Sequence, residues 1–305
     1  MNGLNRRQWL AAACAAASPL RAGNRIDRSR LSAITDEIAA TPEDAIAFAK
    51  QYGLQWLELR STPGSRGRPD GMEYFVLPPD KLKEAARQFS GNGIRISFLN
   101  TSMLKYYLPG TEPVNLRARR DPARFERRHD ELQQALAAAD ILGCSLIRVF
   151  TFSRVQDPPA LYPRVAEILG ELAEAASKAG KQLLIENENA CNVASCSELA
   201  ALLKLIPSAA IGINWDPFNA ENSRAEVAFP DGYKLLPARR IGNVQIKGRS
   251  VLPGPQQMDW AAIFRTLEKD GYQGCAGLET HIFGPELIRH SHDSMRELLR
   301  MVEQS

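Results

Sequence analysis

Four oxygen-bearing side chains, Glu186, Asp216, Gln245 and Glu279, each sit at the end of an apolar run, and successive members are one strand-helix unit apart. Hard divalent cations need oxygen ligands converging from several directions, which adjacent strand ends in a sheet can supply. Glu188 follows Glu186 at strand spacing, so both carboxylates project to one face, Glu188 one pleat further out and placed for substrate. A pair of carboxylates just past Leu-Leu-Ile is costly unless something positive meets it. Lys247 shares a face with Gln245, and His281 with Glu279, so both are candidates to contact substrate oxygens or developing charge. Glu37, Arg60 and Arg148 stand at other strand ends and could bind hydroxyls, with an internal salt bridge as the competing role for each.

The elements that position these residues follow a regular rhythm. Strands are expected over residues 31–35, 56–59, 94–99, 146–152, 182–185, 210–215, 243–246 and 275–279. Helices are expected at 42–52, 79–89, 121–142, 159–179, 195–205, 233–237, 259–270 and 285–302. Their termini carry the local signals: Thr41-Pro42-Glu43-Asp44 opens the first, and Gly53 stops it. The long connection 100–120, with Met103, Tyr106 and Tyr107, is expected to cover substrate. Eight alternations without a linker-like break predict an α/β protein, a single-domain (β/α)8 TIM barrel over residues 23–305. The rival, a doubly wound open sheet, lacks the glycine fingerprint after the first strand.

Composition narrows the function classes. The 305 residues are 44% hydrophobic and 24% charged, with a net charge of +3 and no run of five basic residues, which argues against a nucleic-acid partner. Arg117, Arg119, Arg120, Arg124, Arg127 and Arg128 are interleaved with acids and read as a solvated helix face. Residues 1–22, with Arg6-Arg7 before an Ala-rich apolar run too short to span a bilayer, resemble a twin-arginine export signal, although Asn5 stands where serine is usual. A periplasmic or otherwise exported protein is expected, without stable membrane insertion. No Cys-x-x-Cys pair is present, and Cys191 and Cys196 are expected either to bridge or to stay as buried thiols.

With these residues in place, the chain from about residue 31 resembles the xylose isomerase-like barrels, which include sugar isomerases and epimerases, inosose dehydratases and the endonuclease IV group. The first-strand Thr35-Asp36-Glu37 and Leu57-Glu58-Leu59-Arg60 contribute to the likeness. The resemblance implies a four-ligand metal site on Glu186, Asp216, Gln245 and Glu279, with Glu186 and Glu279 also moving protons. Two departures each remove an imidazole: Gln245-Ile246-Lys247-Gly248 replaces His-x-Lys-Asp, and Asn219 replaces the histidine of Asp-x-x-His. Asn219 is kept as a substrate contact. With four histidines in the chain, a trinuclear zinc nuclease is not expected. One divalent ion is implied, Mn2+ first, Mg2+ or Co2+ as alternatives and Zn2+ disfavoured. The implied activity is isomerisation or epimerisation of a ketose or keto-sugar by α-proton abstraction and a metal-stabilised enediolate. A 3-keto-glycoside lyase is the alternative enzyme, and a sugar- or metal-binding barrel without catalysis the non-enzymatic one. A carbohydrate is the expected partner, and a homo-oligomer is compatible with the sequence.

Overall fold

The computed structural model describes residues 25–62, 72–115, 121–223, 226–282 and 284–304. Residues 1–22, expected to be an export signal, and Arg117, Arg119 and Arg120 lie outside them. Eight parallel strands alternate with helices: β1 (Leu31–Ala33), β2 (Trp56–Leu59), β3 (Arg95–Leu99), β4 (Leu146–Val149), β5 (Gln182–Glu186), β6 (Ile211–Trp215), β7 (Ile241–Lys247) and β8 (Cys275–Glu279). The hydrogen-bonded order runs β1-β8-β7-β6-β5-β4-β3-β2, and a parallel bridge between Ile34 and Glu58 brings the two ends together. This is a nearly closed TIM barrel in one domain.

Local chemistry explains the helices. Thr41 accepts from the Asp44 N–H, Pro42 opens the first turn, and Gly53 ends the helix Pro42–Tyr52 at φ 65°. Ser195 and Glu198 form a reciprocal capping box on Cys196–Leu203. Asp259 caps Trp260–Lys269.

Several boundaries differ from expectation. The helix expected over 121–142 is two helices, Pro122–Glu126 and Arg128–Leu142, broken at Arg127. Arg124 repeats its charge at Arg127 and Arg128, spacings at which like charges disfavour a continuous helix. A further short helix, Pro217–Asn222, follows β6 where none was expected. β7 begins earlier and ends later than predicted, so Lys247 is on the strand. Cys144, Cys191, Cys196 and Cys275 are all buried free thiols, so Cys191 and Cys196 do not bridge here. The connection after β3 is tied down: carbonyls of Met103, Leu104 and Tyr106 accept from the N–H groups of Phe150, Phe152 and Ser153.

The layer between strands and helices is apolar and buried, whereas Ser32, Glu58, Asn214, Asn243 and Gln245 are buried polar residues joined to one another by hydrogen bonds. Glu58 on β2 accepts hydrogen bonds from β1, from Asn100 past β3 and from β7 across the barrel, so it points inward. Gly277 on β8 makes room for it: a Cβ there would lie 1.9 Å from Glu58 Oε1.

Candidate active site

The carboxyl-terminal ends of β5, β6 and β8 bring Glu186, Asp216 and Glu279 together, with one oxygen of each within 4.8 Å of the others. All three are buried, and cations meet them. Arg148 of β4 donates to Glu186 Oε2 at 2.9 Å, and Asn214 Nδ2 adds a bond of 2.8 Å to the same oxygen. Lys247 Nζ lies 2.5 Å from Glu279 Oε2 and 2.9 Å from Asp216 Oδ2. Arg60, just past β2, reaches Asp36 at 2.7 Å, Glu37 at 2.6 Å and Glu279 at 3.0 Å. Glu37 also accepts from Thr280 Oγ1 and from the His281 backbone N–H. His281 Nδ1 is 3.7 Å from Glu279 Oε1, and a second group able to hold a cation comprises Glu37, Glu279 and His281.

Protonation differs across the cluster. Burial pushes Asp216 up to about 6, because Lys247 is its main opposing cation and Glu186 adds repulsion. Burial also acts to raise Glu279, but Lys247, a hydrogen bond with His281, Arg60 and Arg148 outweigh it and hold this carboxyl well below its usual range. Burial acts to lower Lys247, yet the charges of Asp216, Glu279 and Glu186 win and keep it an ammonium. Asp216 is therefore the under-neutralised acid of the group.

The donor set fits a hard divalent ion. Asp36, Glu37, Glu186, Asp216 and Glu279 are five acids in contact with three bases, Arg60, Arg148 and Lys247, which leaves two formal negative charges if all are ionised and His281 is neutral. Asp216 Oδ2 makes no aligned hydrogen bond among the described residues, and neither does Gln245 Oε1. Both buried oxygens belong to side chains expected as ligands. An ion would be held by Glu186, Asp216 and Glu279.

Gln245 lies deeper in the barrel than Glu279. Its register partner is Gly277, one pleat below Lys247 and Glu279, and its Nε2 donates to Glu58 Oε2 at 2.7 Å. Glu188 pairs with Lys105 at 2.8 Å in the loop after β5, and Lys105 lies over the Phe150 ring. Asn219 donates to the Asn187 carbonyl, while its backbone N–H binds Asp216 Oδ1, so it braces the turn carrying that acid.

Other functional residues were not singled out from sequence. Asp36 lies in a quoted motif beside Glu37 but binds Arg60 itself. Beneath the carboxylates, Glu58 accepts from Ser32, Asn100, Asn243 and Gln245, and Asn243 also donates to Asn214. Burial raises Glu58 to about 7, its hydrogen-bond donors opposing the shift.

A family model for xylose isomerase-like TIM barrels matches residues 46–303. The chain belongs to that family. Among solved structures, it is similar to the IOLI protein with a bound zinc atom, at 15% identity and TM-score 0.68, covering 90% of this chain and 98% of that one. D-psicose 3-epimerase from Clostridium cellulolyticum H10, crystallised with D-tagatose, gives 15% identity and TM-score 0.65, covering 90% and 98%. The 3-keto-D-glucoside 4-epimerase YcjR from E. coli gives 15% and 0.65, covering 89% and 99%. At this identity the likeness establishes the shared barrel. No curated protein matches the sequence.

Proposed function

We propose that this protein is a metal-dependent sugar isomerase or epimerase that moves a proton on the carbon next to a carbonyl of a ketose or keto-sugar. The observation that carries this reading is the convergence of Glu186, Asp216 and Glu279 from three strand ends inside a ring of cations. A bound divalent ion, Mn2+ in our reading, would supply a Lewis acid for the substrate carbonyl and neighbouring hydroxyl. Glu279, held ionised by its basic neighbours, is the base that takes the α-proton onto a carboxylate oxygen. Glu186, supported on β5 by Arg148 and Asn214, enters the step carrying a proton and gives it to the carbon from the other flank, after which solvent takes the proton from Glu279 and restores the one on Glu186. Arg148, Lys247 and Arg60 line the region where the enediolate carries its negative charge. Glu188 and His281 stand further out as substrate contacts.

Metal-loaded protein should exchange the α-proton of its ketose with deuterated solvent. Glu186→Gln and Glu279→Gln should each slow that exchange by about 10²- to 10⁴-fold with the circular dichroism spectrum unchanged. Full exchange in either variant would remove it from the mechanism. Keto-glycosides belong in the same screen, because one structural neighbour acts on a 3-keto-glucoside. Cleavage without epimer formation would mark the lyase reaction.

A further inference from the structure

Two of the three grouped carboxylates already share a cation supplied by the chain itself. Lys247 Nζ touches Glu279 at 2.5 Å and Asp216 at 2.9 Å, in a pocket where the lysine side chain is 5% exposed. The contact to Asp216 Oδ2 is an ion pair without hydrogen-bond alignment, so it ties that oxygen by charge alone. An ion bound to the same two oxygens would lie beside an ammonium, with like charges close together in a buried site.

We propose that Lys247 is an internal counter-ion that a divalent metal must displace: its ammonium holds Asp216 and Glu279 in the metal-free protein and withdraws on loading. This rests on the metal-site reading above. The placement suits such exchange. Lysine is a point charge on a flexible four-carbon stem, unlike Arg60 and Arg148, whose guanidinium groups are each fixed by several partners. Glu188 is paired with Lys105 at 2.8 Å at the rim, so Lys247 is the cation that meets Asp216. Lys247 thus lowers metal affinity while keeping the empty carboxylate cage assembled, and withdrawal turns its ammonium toward the place where substrate oxygens arrive.

The test is calorimetric titration of chelator-stripped protein with Mn2+ alone. Lys247→Met should bind Mn2+ at least about 10-fold more tightly than wild type, and its metal-free form should melt lower while its loaded form recovers. Lys105→Met removes a positive charge at the rim without touching Asp216 or Glu279, and should change the affinity by less than about 3-fold. Equal or weaker binding by Lys247→Met, or equal tightening by both variants, would overturn the displacement while leaving the metal site in place. Absence of Mn2+ binding in every variant would overturn both. If Lys247→Met does not fold without metal, Lys247→Gln, which retains a polar group at the position, is titrated instead, with the same outcomes expected.

Discussion

At the scale of single residues, Glu58 is the side chain whose setting departs most from its chemistry. Its partners are a hydroxyl and three amides, with no cation among its described hydrogen bonds, and its carboxyl rises to about 7. A carboxyl near 4.5 in the unfolded chain and near 7 when folded keeps a proton longer in the folded state. Stability from this group is therefore fully present below about pH 4.5 and is lost as pH rises through 7, a change of about 3 kcal/mol. Asp216 titrates in the same direction and remains in any Glu58 variant. Urea denaturation of the chelator-treated protein at pH 5 and pH 8 should show Glu58→Gln losing about 2–3 kcal/mol less than wild type over that interval. Identical pH slopes would remove Glu58 as the source.

At the scale of elements, the barrel is unevenly laced. β7 and β8 pair over five residues, whereas β3 and β4 share one registered pair and β1 meets β2 through the Ile34–Glu58 bridge. Arg60 spans the second of these seams, joining the end of β2 to Asp36 and Glu37 after β1 and to Glu279 on β8. Removing it takes a cation from three buried carboxylates at once, although Glu279 keeps Lys247 and Glu37 keeps its Thr280 and His281 donors, so Arg60→Ala should cost about 3–5 kcal/mol in equilibrium unfolding. A loss under 1 kcal/mol would mean that the acids find other partners. This seam also marks where sequence reading stopped. Glu186, Asp216 and Glu279 were legible because strand ends recur at a fixed interval and acids there follow apolar runs. Asn214, Asn243 and Glu58 were not, because each is satisfied by a residue on another strand far away in sequence, and no local pattern encodes such pairing. Lys247 was seen as a rim residue, but its insertion between two acids depended on β7 running to that position. The break at Arg127 was hidden for a related reason: the apolar spacing on both sides continues through it.

At the scale of the whole molecule, an ion held by Glu186, Asp216 and Glu279 would tie together the ends of β5, β6 and β8. Binding only to the folded state stabilises it by about 3 kcal/mol at a hundredfold excess over the dissociation constant. Mn2+ should therefore raise the melting temperature by on the order of 5–10 °C, and chelator should reverse it. An unchanged melting curve would argue against the ion. Residues 1–22 fused to a folded reporter should send it to the periplasm, and Arg6→Lys with Arg7→Lys should retain it inside the cell; export of the doubly substituted fusion would refute a twin-arginine route. His281 has φ 53°, and its backbone N–H donates to Glu37 Oε2. The architecture at this position is thus held by the main chain, while the side chain is 54% exposed beside Glu279. On the proposed function, position 281 is a handle for changing substrate preference: asparagine and glycine accept that backbone readily, whereas valine and isoleucine do not.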